Sequence, residues 1–184
     1  MNIIKYLQAQ GIDTRKGCQW LVKHGLVQIN GATVPDDKAD IAPDSVQTLT
    51  IDGEDAVVIP LPYFYILLNK PAGYETSHKP RDYPSVFSLL PDQVRAADIQ
   101  AVGRLDADTT GVLLHDDNET VAAQAAELHD AHTLILTIRE GKYHQVKRMV
   151  AAAGNRVEQL HRLQFGNWDT QDLDFGEWRF VRTE

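Results

Sequence analysis

The longest uninterrupted apolar run in this chain, residues 63–68 (YFYILL), limits what the chain can fold into. A run of this length suits one strand buried in a sheet, whereas a helix that crosses a membrane needs about 20 apolar residues. The run ends at Asn69-Lys70-Pro71-Ala72-Gly73, which predicts a turn because proline and glycine interrupt regular structure. The chain has 184 residues, of which 43% are hydrophobic, so it can bury a core and a wholly disordered protein is excluded.

The N-terminal residues lack the basic head, apolar stretch and small-residue cleavage site of a secretory signal. A single cysteine, Cys18, allows neither an internal disulfide nor a paired-cysteine metal site. His129 and His132 lie three residues apart without a third ligand at a recognisable spacing, so no metal site is expected. We therefore predict a soluble, cytoplasmic protein that does not bind membranes.

Residues 1–55 are predicted to form a small domain of two short helices followed by a small sheet. Apolar residues recur at helical spacing in the first helix, and Asn30-Gly31 marks a tight turn between strands. The helices carry cations that can face a phosphate backbone, namely Arg15, Lys16 and Lys23.

Residues 56–62 are predicted to be a linker, because Pro60 and Pro62 stiffen the chain and are unsuited to a central strand. Residues 63–184 are predicted to form an α+β domain with a mixed or antiparallel sheet. Its elements include a strand at 134–138 and a helix at 144–153. The tryptophans are expected in the core rather than as stacking surfaces: Trp20, Trp168 and Trp178.

The formal net charge of −8 at first sight argues against a nucleic-acid partner. The charge is unevenly distributed, however, because residues 1–24 carry a net +3 and residues 139–162 a net +4. Two basic segments on an acidic body are compatible with a polyanion bound at one face. The alternative is that these cations form an ordinary solvated surface.

The stretch from Gly103 to Gly111 (GRLDADTTG) contains a candidate reactive carboxylate. Arg104 and Asp106 are two residues apart, so in an extended strand they project from the same face, and the arginine would keep Asp106 ionised. The following Thr-Thr-Gly predicts a turn that leaves Asp106 near a strand end. Such a carboxylate can attack a sugar carbon or accept a proton. The alternatives are an ordinary ion pair, or Asp108 in the same role.

A second cluster lies at residues 140–149 (EGKYHQVKRM). On a helix, His144 shares a face with Lys147 and Arg148, at spacings of three and four, while Lys142 lies at the turn before the helix. This cluster could clamp a phosphate or pair with an active-site carboxylate. The alternative is a solvated basic helix face.

The three motifs NKPAGY, GRLDADTTG and EGKYHQVKRMVAAAGNRVEQLHR, in this order, resemble those of the RsuA-type pseudouridine synthases. The first ~55 residues resemble the family's small S-four-like RNA-binding domain. The closing stretch is more similar to the enzyme of the small-subunit (16S) ribosomal RNA than to its large-subunit relatives. The resemblance implies isomerisation of a uridine in that RNA to pseudouridine, without a cofactor or a metal. The target base would have to leave its stack first.

The resemblance also implies roles for single residues. Asp106 matches the catalytic aspartate, Arg104 belongs to the same motif, and Lys142 falls where the family places a basic residue near the aspartate. The charge pattern and the motifs together give the expected RNA contacts, which are Arg15, Lys16, Lys23, Lys70, Gly73, His144, Gln145, Lys147 and Arg148. The expected partner is small-subunit ribosomal RNA, or a partly assembled small ribosomal particle, bound by a monomer.

One departure from the family pattern lies near residues 111–119. The family has several dozen further residues there, including a Lys-x-Tyr strand whose tyrosine lies against the target base. Three explanations are possible. The block is deleted, the protein is a natural variant, or the block is disordered and its residues are omitted from the sequence. We expect the last, because loss of a sheet element would leave unpaired strand edges.

Two rival functions remain open at this point. A catalytically inactive RNA-binding or ribosome-assembly protein would bind the same RNA, and the missing block favours it. A carboxylate-dependent glycoside hydrolase would need a second, paired acid and would liberate free base. Only the acid-rich turn at residues 106–117 suggests the hydrolase.

Overall fold

The computed structural model describes residues 1–97, 99–112, 123–139, 141–142 and 144–181. In chain order its elements are α1 (Ile3–Ala9), α2 (Arg15–Lys23), β1 (Val27–Ile29), β2 (Ala32–Thr33), β3 (Leu49–Ile51), β4 (Glu54–Ala56), β5 (Tyr65–Lys70), α3 (Asp92–Arg95), β6 (Thr109–Val112), β7 (Ala123–Leu128), β8 (Leu134–Ile138), α4 (Gln145–Ala152), β9 (Leu160–Arg162), β10 (Gln164–Phe165), β11 (Trp168–Asp169) and β12 (Trp178–Val181). Short 3₁₀ helices lie at Pro43–Ser45 and Val86–Leu89.

The chain divides into two compact units. The first comprises Met1–Ile66, Ser88–Gln100 and Trp178–Glu184, and the second comprises Leu67–Phe87 and Ala101–Glu177. Both contain helices and strands, so the predicted α+β class is confirmed. Within the described residues, no helix has the length and apolar character needed to cross a bilayer.

The first unit begins with two capped helices. Asn2 caps α1, because its side chain accepts a hydrogen bond from the backbone N–H of Ile4 at 2.9 Å. Thr14 caps α2 in the same way, through Gly17 at 3.3 Å. The inward faces of the two helices join one hydrophobic core with the sheet that follows: Ile3, Ile4, Leu7, Cys18 and Val22 are buried in it.

The sheet of the first unit is antiparallel, in the order β2-β1-β3-β4. Its first turn contains Asn30 and Gly31 at φ 51° and φ 78°, the left-handed conformations that a tight hairpin turn requires. The Asn30 side chain also accepts hydrogen bonds from the backbone of Gln47 and Thr48, at 2.8 and 3.1 Å. The turn that the Asn-Gly pair predicts is therefore present.

The segment predicted as a linker packs inside the first unit. Ile59 is buried, and its backbone is bonded at both ends to the buried side chain of Gln10. The Ile59 N–H donates to Gln10 Oε1 at 2.6 Å, and Gln10 Nε2 donates to the Ile59 carbonyl at 2.8 Å. Residues 56–62 thus follow the surface of the helices instead of extending freely. The division of the chain into functional domains at this segment stays a prediction.

One tryptophan departs from the expectation of core packing. Trp20 lies on the outward face of α2 and is 54% exposed. The inward positions of α2 are taken by Cys18 and Val22, so the indole has no place in the core. The core prediction for Trp20 is therefore wrong, whereas Trp168 and Trp178 are partly buried.

The second unit contains a mixed sheet. Strand β6 pairs antiparallel with β5, through Lys70 opposite Gly111, and parallel with β9, through Thr109 opposite Leu160. Gly111, at φ 97°, lies so close to β9 that a Cβ atom there would collide with the backbone of Arg162. The predicted mixed sheet is confirmed, and only glycine fits this point of close strand approach.

The remaining predicted elements of the second unit are also present. Strand β8 coincides with the predicted strand at 134–138 and forms an antiparallel hairpin with β7. Helix α4 occupies the predicted helix at 144–153 without its end residues, and Gly154 follows it at φ 80°.

We predict that Gln10→Ala lowers the free energy of unfolding by about 2 kcal/mol, because it leaves the buried N–H and carbonyl of Ile59 without partners. Urea denaturation followed by circular dichroism measures the change. Gln8→Ala, at an exposed position on the same helix, is the matched control and should have little effect. Equal unfolding midpoints for the two variants would show that the Gln10 contact does not stabilise the fold.

Candidate active site

The site is organised by a lysine at the end of a buried strand. Lys70 is the last residue of β5, and its side chain is fully buried. Its ammonium lies within hydrogen-bond distance of four backbone carbonyl oxygens: Pro71 (3.0 Å), Asp106 (3.1 Å), Ala107 (3.4 Å) and Thr109 (2.9 Å). An ammonium has three N–H donors, so these carbonyls occupy all of its capacity.

The environment of Lys70 lowers its pKa and is inconsistent with the RNA contact that the sequence predicts. Burial lowers the pKa of Lys70 to about 8, although the negative charges of Asp108 and Asp106 partly oppose that shift. The sequence predicts that Lys70 contacts RNA. The structure instead turns its ammonium toward backbone carbonyls, where a phosphate cannot reach it. A positioning role replaces the predicted RNA contact.

Two further contacts fix the loop that carries Asp106. The Thr76 hydroxyl donates to the carbonyl of Leu105 at 3.1 Å and accepts from its N–H at 3.3 Å. The N–H of Gly73 donates to the carbonyl of Ala107 at 2.7 Å. Gly73 has φ 80° in this turn, a conformation that favours glycine. The backbone on both sides of Asp106 is therefore held by the segment that follows β5.

The backbone around Asp106 differs from the extended strand that the sequence predicts. The N–H of Thr109 donates to the carbonyl of Asp106 at 3.0 Å, which closes a turn, and strand β6 begins only at Thr109. The predicted order of strand and then turn is thus reversed. The cause is tertiary, because Lys70 gathers the carbonyls that a strand would use for pairing.

The carboxylate of Asp106 has two partners from the start of α4. Its Oδ2 lies 3.2 Å from His144 Nε2 and 3.3 Å from Lys147 Nζ. The Asp106 side chain remains 33% exposed, so a substrate can reach it. The sequence analysis offers two roles for the basic cluster at residues 140–149, and this geometry agrees with the second, pairing with a carboxylate.

Lys147 is shared between two carboxylates. Its Nζ lies 2.8 Å from both oxygens of Asp108, whose side chain is 70% exposed. The hydrogen bond from Lys147 is the main cause that lowers the pKa of Asp108. Burial alone would lower the pKa of Lys147, but the bonds and charges of Asp108 and Asp106 outweigh it and raise that pKa. One lysine therefore faces two negative charges.

The start of α4 explains how His144 reaches Asp106. His144 adopts φ 49°, a left-handed conformation that is unusual for a residue other than glycine, directly before the helix. The next residue, Gln145, is buried, and its Oε1 accepts a hydrogen bond from the N–H of Lys142 at 2.7 Å. Gln145 was predicted to contact RNA, but the structure gives it the role of fixing the turn before the helix.

Most of the other predicted site residues are exposed. Arg104 is exposed, and among the described residues the ion pairs of Asp106 are with His144 and Lys147 rather than with Arg104. The predicted Arg104–Asp106 pair is therefore wrong. Lys142 is partly buried, and Arg148 is exposed on α4. In the first unit, three cations of α2 are exposed, as an RNA contact requires: Arg15, Lys16 and Lys23.

Sequence reasoning missed Thr76, which holds the residue before Asp106. A threonine three residues after the turn that contains Lys70 gives no local signal for a bond to a residue 29 positions away. The contact of Lys147 with Asp106 could be predicted from the sequence, because the spacing of three brings His144 and Lys147 together.

The site can present an oriented carboxylate, that of Asp106, to a substrate. His144 and Lys147 orient Asp106, while the division of Lys147 between two acids leaves negative charge at the site. Such a carboxylate can attack an electrophilic carbon or remove a proton. Asp108 has the same neighbour but is largely exposed, so its charge is better screened by water.

Comparison with known proteins shows which family this chain is similar to. The family model of RNA pseudouridylate synthases matches residues 64–134, a range that contains Lys70, Thr76 and Asp106. The ribosomal small subunit pseudouridine synthase A of Pasteurella multocida is 30% identical, and the match covers 100% of this chain and 97% of that protein. The Vibrio parahaemolyticus protein of the same name is 33% identical over 100% of this chain and 97% of its own length.

The fold also has a solved counterpart. A crystal structure of a pseudouridylate synthase superposes with a TM-score of 0.55 at 26% sequence identity. The superposition covers 99% of this chain and 96% of the other. Both units of the chain therefore lie within the region of similarity.

The alignments also bear on the block that is missing from the family pattern. The match to the Pasteurella multocida protein runs over 233 residues, whereas this chain has 184, so that relative contains residues this chain lacks. The full sequence itself has 184 residues, so the expected omission from a structure-based sequence is wrong. Most of the predicted junction at 111–119 lies outside the described residues.

We predict that Lys70→Met lowers the free energy of unfolding by about 3 kcal/mol, because it leaves buried carbonyls without a donor. The methionine retains the length and the apolar part of the side chain. The exposed Lys79→Met, made in the same unit, is the control for loss of a lysine charge. Urea denaturation of both variants is the measurement, and an equally small loss in both would contradict the clamp formed by Lys70.

Proposed function

The chain belongs to the RsuA-type family of RNA pseudouridine synthases, and on this premise we propose that it converts a uridine of small-subunit ribosomal RNA into pseudouridine. The observation that carries the proposal is the Asp106 carboxylate, held by His144 and Lys147 and still open to solvent. The names of the relatives from Pasteurella multocida and Vibrio parahaemolyticus support the small ribosomal subunit as the source of the RNA.

The reaction must begin with extrusion of the target uridine. A carboxylate on a protein surface cannot reach the ribose of a stacked and paired nucleotide, so the base has to leave the stack. Because Asp106 lies on a rigid loop, we expect the RNA to adapt to the carboxylate rather than the reverse. Its position is fixed through Lys70 and Thr76.

Two chemical routes fit the site. In the first, an Asp106 oxygen attacks C1′ and the glycosidic bond breaks, with its electron pair leaving on the uracil. The uracil then rotates, C5 bonds to C1′ as the carboxylate departs, and the C5 proton is lost to a base. In the second route, Asp106 removes a proton from the ribose before the glycosidic bond breaks. Both routes need Asp106 ionised.

The surrounding cations serve this carboxylate in different ways. Lys147 and His144 orient Asp106, and because Lys147 also binds Asp108, Asp106 is not fully neutralised and keeps its reactivity. We assign Arg104 and Lys142 to the RNA side of the site, as groups that meet phosphate or base. Arg104 is exposed and does not form the predicted pair with Asp106.

RNA binding is proposed for the exposed cations of both units. Residues 1–55 would act as the S-four-like RNA-binding domain, and residues 63–184 as the catalytic domain. Phosphate contacts are assigned to the exposed Arg15, Lys16, Lys23 and Arg148, whereas the ammonium of Lys147 is bound to Asp106 and Asp108. Such contacts release counterions, so affinity for RNA is expected to fall as the salt concentration rises. The cellular partner would be the free RNA or a partly assembled small ribosomal particle.

A second candidate function follows from the residues that this chain lacks. The block present in the relatives includes, by resemblance, a strand whose tyrosine lies against the target base. Without it, the chain could bind the same RNA and serve ribosome assembly without turnover. Release of tritium from RNA labelled at C5 of uridine separates the two functions, because binding alone leaves the C5–H bond intact.

We predict that wild-type protein releases tritium from C5-labelled small-subunit RNA and that Asp106→Asn abolishes the release. The amide preserves the shape of the side chain but removes the charge that both routes need. Asp108→Asn is the comparison variant, because it neutralises the neighbouring carboxylate bound to the same lysine. It should slow release without abolishing it, since Lys147 would then pair with Asp106 alone.

The affinity of Asp106→Asn for the RNA should stay within a few-fold of wild type, which shows that the variant is folded and still binds. Full turnover by Asp106→Asn would contradict the assignment of the reactive group. Tight binding by wild-type protein with no release would favour the assembly function.

A further inference from the structure

The outward face of α2 carries an aromatic side chain that neither the fold nor the reaction uses. Trp20 is 54% exposed, on the side of the helix opposite the buried Cys18 and Val22. A single exposed apolar side chain is ordinary in a soluble protein, so the exposure of the indole alone indicates nothing. The groups around it are what point to a ligand.

The indole has a second ring against it. The rings of Trp20 and His24 are stacked, with centroids 4.1 Å apart and an interplanar angle of 29°. His24 Nδ1 lies 2.7 Å from the backbone carbonyl of Trp20, which fixes the imidazole against the indole. The two rings form a surface that is ordered before any ligand binds, so a ligand that stacks on it loses little further entropy.

Cations flank this pair of rings. Lys16 lies four residues before Trp20 and Lys23 three residues after it, so both are on the same helix face, and both are exposed. Asp13 lies near the start of the helix, but its carboxylate accepts a hydrogen bond from the N–H of Thr14. The surface thus combines stacked aromatic rings with positive charge at both sides.

We propose that Trp20 and His24 form a stacking site for an unpaired base of single-stranded RNA, with Lys16 and Lys23 binding the phosphates on either side. Sites for single-stranded nucleic acid combine such aromatic surfaces with cations along the backbone. Charge complementarity favours RNA over a protein partner, because the exposed neighbours of the indole are cationic and polar rather than apolar. The inference rests on RNA being the substrate and adds a binding contact remote in sequence from Asp106.

The size of the effect can be stated in advance. Stacking of one base on an aromatic side chain, measured by removal of the ring, is worth about ten-fold in affinity or somewhat more. Loss of a phosphate contact has a different signature, because it reduces the dependence of affinity on salt. RNA titrations at several salt concentrations therefore separate the contribution of the ring to the affinity from that of the lysines.

The test uses fluorescence anisotropy of a labelled, short oligouridine with the full chain. Trp20→Ala and Trp20→Leu should each raise Kd about ten-fold without changing the salt dependence, because leucine keeps apolar volume but cannot stack. Trp20→Phe should retain most of the affinity, and Lys23→Ala should flatten the salt dependence. Tyr63→Ala is the matched control, since Tyr63 is an exposed aromatic of the same unit and carries no stacked partner ring among the described residues.

Two further readouts separate stacking from a merely structural role. The emission of the exposed Trp20 should be quenched when oligouridine binds, and Trp20→Phe should remove that quenching while the affinity is retained. Duplex RNA of the same length offers no unpaired base, so Trp20→Ala should leave its affinity unchanged. A variant that simply unfolds α2 would weaken both RNAs.

The outcomes distinguish this inference from the proposed function. Equal affinity of wild type and Trp20→Ala for oligouridine, or no binding of oligouridine by wild type, would overturn the stacking site whatever the tritium assay shows. The exposed indole would then be assigned to a protein partner. A ten-fold loss in Trp20→Ala, together with no tritium release by wild type, would support the stacking site and contradict the enzymatic function alone.

Discussion

The buried ammonium of Lys70 is the contact on which the candidate site depends. It lies at the end of a strand in a mixed sheet and binds carbonyls of the loop that carries Asp106. A buried ammonium without hydrogen-bond partners would destabilise the fold. The ammonium therefore needs the loop carbonyls, and the loop is held in place by the ammonium. Thr76 adds a second attachment on the other side of Asp106. The backbone that carries Asp106 is thereby fixed, and the contacts with His144 and Lys147 then orient its carboxylate.

The carboxylate of Asp106 shares one of its two basic neighbours with a second acid, Asp108. A lysine paired with a single carboxylate would neutralise it, whereas Lys147 divides its hydrogen bonds between Asp106 and Asp108. His144 adds a directional contact from a strained backbone position, and such strain persists only where the surrounding structure enforces it. The arrangement keeps the Asp106 carboxylate oriented while its side chain remains 33% exposed.

Local spacing in the sequence was enough to predict the elements and part of the site. The Asn30-Gly31 turn and helix α4 follow from turn chemistry and periodicity. A spacing of three brings His144 and Lys147 together, although His144 lies in a left-handed position before the helix. The pairing of Arg104 with Asp106 could not be excluded locally, because its failure results from long-range bonds of Lys70 that end the strand geometry. The exposure of Trp20 could have been derived, because the helical spacing of Cys18 and Val22 already marks the buried face of α2 and Trp20 lies off that face.

The central claim is that the buried ammonium of Lys70 fixes the loop of Asp106 by binding its carbonyls. The most direct test is an NMR titration of the protein with labelled lysine side chains. The chain contains eight lysines. One of them, identified by its absence from the spectrum of Lys70→Met, should titrate at a pKa of about 8, because burial disfavours its charged form. Titration of every lysine near the ordinary value of about 10.4 would contradict the buried clamp.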